Sequence, residues 1–178
     1  MNSISLIPCI GKTVELNEVE QRLTKHIAKQ RYLNNRDNNV TNARIGDQTD
    51  IETDRNGFGA EMAFCKLFNV FPDLSIFTRT ASEDNGDAIL HIQKTVDVKT
   101  TKYPNGKLLA VTWKEHNVDL YALMIGEFPK YTFRGFMDTH ELLKPSRIGS
   151  LGYGETYIAS QDELKELSEI YTGDTDGR

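Results

Sequence analysis

The chain has 178 residues, 38% of them apolar and 26% charged, with a formal net charge of −5. That length suits one domain with a real core, and the acidic balance weighs against nucleic acid as a partner, since phosphate binding draws on Lys and Arg. No apolar run approaches the ~18 residues of a membrane span. Cys9 and Cys65 are the only cysteines, and they give neither a disulfide framework nor a metal-ligand spacing.

The first fourteen or so residues read as a strand or an irregular arm. No basic leader precedes their apolar residues, so a secretory signal is not expected and a cytoplasmic, reducing setting is. Asn17 followed by Glu20 is a capping-box start, and Leu16, Val19, Leu23 and Ile27 recur at helical spacing, which predicts a helix from about Glu18 into the mid-thirties. Between Gln21 and Arg36 stand Arg22, Lys25, Lys29, Arg31 and Arg36 and no acid. This locally positive face either contacts a nucleic-acid backbone or is an ordinary solvated helix surface. Asn34 to Gln48 reads as a loop.

A second helix is predicted from about Asp50, with Gly57 and Gly59 leaving its first half undecided. At ~100° per residue, Glu61 falls between Phe68 and Cys65, inside the apolar arc. A buried carboxylate needs a partner; a metal-bound water or Lys99 would serve, unless the helix frays and Glu61 reaches solvent. Leu74 to Thr78 reads as a strand leading into the polar turn Ser82 to Gly86, which fails the ligand test for a calcium loop.

From Gly86 to Lys99 the pattern is period two. Ala88, Leu90 and Ile92 alternate with Asp87, Ile89 and His91, and Val96 and Val98 with Asp97 and Lys99. A hairpin centred on Gln93 would set Lys99 opposite Asp87 and Asp97 opposite Ile89, leaving Asp87 and Asp97 diagonal neighbours ~7 Å apart. Two carboxylates and an ammonium then converge, an arrangement suited to a hard divalent cation such as Mg²⁺, which takes few protein carboxylates and keeps positions for water and phosphate oxygens. The alternative is a solvated face with a weak cross-strand ion pair.

Asp87 followed ten residues later by Asp97, Val98 and Lys99 resembles the signature of the PD-(D/E)XK nuclease superfamily, and the helix bearing Glu61 stands where that family places its helical glutamate. The resemblance covers roughly Gly57 to Ile125; Gly86 occupies the position of the family's proline. It implies an α/β, restriction-endonuclease-like core, a central mixed sheet flanked by helices. It further implies a metal-dependent nuclease in which Asp87 and Asp97 bind Mg²⁺ (Mn²⁺ substituting), Lys99 positions or activates the water, and Glu61 completes the site. DNA is the favoured substrate over RNA, and a homodimer is one route to double-strand cleavage.

Beyond Lys99, Lys102 lies in a basic turn, Leu108 to Trp113 reads as a strand, and Asp119 to Ile125 as a nearly all-apolar strand from the middle of a sheet. Trp113 is either core or, with Lys114, a stacking contact for nucleic acid; Arg22, Lys25, Lys29, Lys102 and Lys114 are the candidate nucleic-acid contacts. Tyr131 to Met137 predicts a strand, Thr139 to Leu143 a short helix, Arg147 to Gly154 a glycine-rich loop, and Glu155 to Ala159 an edge strand. Ser160 with Glu163 opens a helix to about Tyr171, and residues 172–178 are a tail. The chain reads as one domain, its first 50 residues a helical region. The rival readings are a non-catalytic DNA-binding or protein-interaction module of the same fold and, resting on His91 alone, a small-molecule hydrolase or transferase.

Overall fold

The computed structural model describes residues 8–38, 49–77, 86–152 and 154–171. Strand β1 (Thr13–Glu15) leads into helix α1 (Glu18–Asp37), which pairs with α2 (Asp50–Phe68). Both helices begin with complete capping boxes, Asn17 with Glu20 and Thr49 with Glu52, satisfying backbone donors that the first turn leaves open. Helix α2 runs unbroken through Gly57 and Gly59. Gly59 is small for a reason, because a Cβ there would stand 2.3 Å from the Tyr131 hydroxyl.

A five-stranded sheet follows the order β1-β6-β5-β3-β2, with β2 Ala88–Ile89, β3 Thr95–Thr101, β5 Leu120–Glu127 and β6 Lys130–Asp138. Strands β3 and β5 are parallel, and the other neighbours antiparallel. The apolar strand β5 is central, as its composition predicts. A bulge opposite Leu123 and Met124 places both Phe133 and Phe136 on the helix side, where they meet Phe64 and Phe68 with ring centroids 5.2 to 6.2 Å apart.

The long helices α1 and α2 lie on one face of this sheet. The other face, with Tyr121, Leu123 and Met137, packs against a second, three-stranded sheet ordered β4-β8-β7 (β4 Leu108–Val111, β7 Ile148–Ser150, β8 Glu155–Ala159) and against Leu142 of the short helix α3 (Thr139–Leu142). Strand β8 is therefore the middle of its sheet and not an edge, and part of the expected glycine-rich loop is β7. The protein is thus a mixed α/β structure. Among the described residues no helix is long and apolar enough to cross a membrane.

Two further expectations are corrected. Leu74 to Phe77 is not a strand, because side chains take its backbone groups: Arg31 donates to the Asp73 and Ser75 carbonyls, and the Asp73 carboxylate accepts from the Ser75 N–H. Thr78 and the turn from Ser82 to Asn85 lie outside the described residues, as does Asn39 to Gln48 of the expected loop. The helix expected after Ser160 stops after one 3₁₀ turn, Gln161–Glu163, and resumes as α4, Leu167–Tyr171. Between them Lys165 exchanges two backbone hydrogen bonds with Phe136, and Leu164 is buried; tertiary pairing overrides the capping signal.

Candidate functional site

The hairpin carrying the acidic pair turns one residue earlier than the alternation alone places it. Ala88 pairs with Val96 and Ile89 with Thr95, so the turn centres on Ile92, with Gln93 in the left-handed region at φ 60° and its N–H bonded to Leu90. Such a turn usually calls for glycine, and its absence here hid the register. Asp87 therefore does not face Lys99. Its N–H donates to the Val96 carbonyl at 2.8 Å and its carboxylate accepts from the Val98 N–H at 2.7 Å, so it grips the two residues flanking Asp97.

Gly86 permits this grip. Its φ of +83° is barred to proline, and a Cβ would lie 2.6 Å from the Val96 oxygen. The chain departs from proline at this position because the backbone bends the other way.

Lys99 closes onto Asp97, Nζ to Oδ1 at 2.6 Å, the two side chains sharing one face two residues apart. Glu61 reaches the same cluster from α2. Its direct partner is neither Lys99 nor solvent: Arg31 donates to Glu61 Oε2 at 3.0 Å while its other nitrogens hold the Ser75 and Asp73 carbonyls. The guanidinium also lies 4.4 Å from the centroid of the Phe58 ring. Arg31 is thus turned inward, away from the basic surface of α1. On that helix Ile27 is buried together with Thr24 and Ala28, whereas Val19 and Leu23 are exposed; the buried stripe is rotated toward Arg31.

The electrostatics are those of crowded acids. Burial, then Glu61 and Asp97, push the Asp87 carboxyl well above the usual range, with Lys99 and the Val98 N–H pulling against them. Burial also raises Glu61, with Asp97 adding to it and Arg31 and Lys99 opposing. Lys99 keeps some solvent contact, about 39% of its side chain. Burial works against its ammonium, but Asp97, Asp87 and Glu61 outweigh it and hold the pKa above the ordinary lysine value. Cys65, one helical turn beyond Glu61, is pushed up to about 12 by burial and by Glu61 and Asp87, and stays a thiol.

One pair near Lys99 was missed by sequence reasoning. The Lys99 Nζ lies 5.9 Å from the centroid of Tyr121, whose hydroxyl bonds His116 Nδ1. His116 Nε2 is 2.8 Å from the Val111 carbonyl, which only accepts, so Nε2 carries the proton and Nδ1 takes the one from Tyr121. A tyrosine inside an apolar strand demands such a partner, and that demand was legible. His91 is elsewhere, 3.1 Å from the Asn69 carbonyl at the end of α2.

Of the candidate nucleic-acid contacts, Arg22, Lys25, Lys29, Lys102 and Lys114 are all exposed. Arg22 reaches Glu18, Lys25 lies over Phe128 and Lys102 over Tyr103. Trp113 is 75% exposed and so is not core. A cavity of about 370 Å³ opens at the start of β3 and β5, lined by Thr95, His116, Asp119 and Tyr171 among others; none of the four cluster residues is in its wall.

Among the described residues no group of three or more His, Cys, Asp or Glu is gathered closely enough to hold a metal ion by itself. The donor chemistry nevertheless fits a hard cation at two carboxylates, Asp87 and Asp97, because three acids here face only Lys99 and Arg31 and the surplus charge is negative.

The fold and this cluster define a mixed α/β protein with a half-buried acid-lysine centre at the edge of its main sheet. The chain belongs to DUF5843, a family of unknown function, whose profile matches residues 6–147. No curated protein and no solved structure matches significantly.

Proposed function

We propose that the protein is a metal-dependent phosphodiesterase acting on nucleic acid, a nuclease with DNA as its preferred substrate and a restriction-endonuclease-like core. The observation that carries this reading is the convergence of Glu61, Asp87 and Asp97 on Lys99 from α2 and both arms of one hairpin.

In it, Asp87 and Asp97 hold Mg²⁺, or Mn²⁺ in its place, with Glu61 behind them. The cation, when bound, supplies Lewis acidity toward the scissile phosphate. Lys99, fixed by Asp97, orients the attacking water and donates to the charge that develops on the phosphoryl oxygens. Asp97 keeps that ammonium protonated and aimed. Arg31 holds Glu61 in place from the far side, so the helix-borne acid cannot swing out to solvent.

A second reading has one observation in its favour. The lack of a three-ligand metal group among the described residues is what a non-catalytic DNA-binding or protein-interaction module with the same fold would present. The test is cleavage of labelled supercoiled plasmid, linear duplex, branched DNA, single strands and RNA with Mg²⁺, Mn²⁺ or EDTA, beside the Asp97→Asn protein. Metal-dependent cutting lost in the variant establishes hydrolysis. No cutting, with calorimetry showing no metal uptake, leaves the binding module.

A further inference from the structure

Helices α1 and α2 carry seven basic residues, and they divide sharply. Arg22, Arg31, Arg36 and Lys66 pair with Glu18, Glu61, Asp50 and Glu20. Lys25, Lys29 and Arg55 form no ion pair among the described residues. Two of these three meet on one ring: Lys25 Nζ lies 5.5 Å and the Arg55 guanidinium carbon 5.4 Å from the centroid of Phe128.

We infer that Lys25 and Arg55, gathered over Phe128, seat a backbone phosphate of a nucleic-acid strand. The inference rests on nucleic acid being the substrate. Two like charges over one ring repel each other, and the ring quadrupole offsets that only in part. An anion between them supplies the rest. Arg55 Nε is buried with no hydrogen-bond partner, a donor that native structures seldom leave unmet. A guanidinium fork beside a point-charge ammonium is chemistry matched to phosphate oxygens.

The platform is rigid. The Phe128 N–H donates to Asn56 Oδ1 at 3.3 Å, and the Tyr131 hydroxyl donates to the Asn56 carbonyl at 3.0 Å. Gly59 leaves the ring its place, since a Cβ there would stand 3.1 Å from it. The nearby acids do not fill the seat. Glu52 is committed to the Thr49 N–H and hydroxyl at 3.0 and 2.7 Å, and Glu127 is exposed.

Lys102 belongs to the same surface, because its charge and that of Arg55 both lower the Glu52 carboxyl. The seat is also tied to the acid-lysine cluster. Arg55 precedes Glu61 by six residues on α2, ~9 Å along the axis, and Lys102 follows Lys99 by three, one residue past the end of β3.

The deciding experiment is fluorescence anisotropy of a labelled DNA duplex in EDTA, from about 50 to about 300 mM KCl, with the wild type, Lys25→Gln/Arg55→Gln, Arg55→Lys and a control, Lys144→Gln/Arg147→Gln. Thermal melts confirm that each variant is folded. The double variant flattens the slope of log K against log salt by about 2, Arg55→Lys keeps the slope while binding less tightly, and the control changes neither. An unchanged slope in the double variant, or an equal change in the control, overturns the seat. If the slopes behave as stated and wild type cuts nothing with Mg²⁺, hydrolysis fails and the seat stands. If wild type cuts but the slopes do not move, the seat alone fails. If wild type binds no duplex, both fall.

Discussion

One lysine-aspartate pair sits beside the start of β3 and another along it, and they teach opposite lessons. Lys94 meets Asp119 at 3.2 Å and Lys99 meets Asp97 at 2.6 Å, with the lysine side chains 38% and 39% exposed. Asp119 is surrounded by donors, accepting from the Thr95 N–H at 2.9 Å, the Thr95 hydroxyl at 3.0 Å and Lys94, and its carboxyl is held below the usual range, first by the Thr95 N–H. Asp97 shares its neighbourhood with Glu61 and Asp87, both pushed upward. The first pair joins the starts of two parallel strands at low energy; the second is held in an arrangement that folding alone does not favour, which is where function tends to concentrate.

The contrast breaks most visibly in activity. Asp97→Asn is expected to lower Mg²⁺-dependent plasmid cleavage by about a thousandfold or more, the scale of losing a main electrostatic contact in a phosphoryl site, while Asp119→Asn stays within about threefold. Equal loss in both would erase the distinction. Next in size is the support behind the cluster. Arg31→Gln strands Glu61 and should cost about 3 kcal/mol in denaturant melts, most of it restored by adding Glu61→Gln; a double variant no more stable than the single would show that Arg31 acts through Phe58 and the 73–75 carbonyls instead.

Stability should then move in opposite directions. Asp87→Asn removes a crowded charge but keeps an oxygen for the Val98 N–H, so the protein should gain up to about 1 kcal/mol while losing activity, whereas Asp119→Asn should lose about 1 kcal/mol. The smallest effect is in acid. The Asp119 contribution is complete above its unfolded value of about 3.8 and is lost as pH falls through the lower folded value. The raised Asp87 and Glu61 have the reverse sign, each adding stability as pH falls through its folded value. Asp119→Asn should therefore flatten the acid side of the stability-pH curve and Asp87→Asn should steepen it; identical curves would sink the assignment of the two environments.

What the sequence reveals follows from how local each signal is. The Asn17–Glu20 capping box, the buried β5 and the shared face of Asp97 and Lys99 follow from periodicity and spacing over a dozen residues or fewer, whereas Glu61, 26 residues before Asp87, joins them only through the family resemblance. Arg31 was hidden because hydrophobicity favours Val19 and Leu23 as the buried stripe. The small Thr24, its hydroxyl bonded back to the Glu20 carbonyl at 2.7 Å, and Ala28 form the face that packs. Likewise, nothing in the alternation of Leu108 to Val111 or Glu155 to Ala159 says that these strands leave the main sheet for a second one. Strand partners are chosen by long-range packing, which no local pattern records.

Strand β2 is only two residues long, and this exposes the experimenter to an old hazard. Past Val98 no described strand pairs with the outer side of β3, so Lys99 to Thr101 forms an open rim on which another chain could template. Charge is the usual guard of such a rim, and here the guards are Asp97 and Lys99 themselves. Knock-outs that blank these residues with apolar groups invite self-association, and an inactive preparation could then be an aggregated one. Asn for Asp97 and Gln for Lys99 keep the rim hydrated while removing the chemistry.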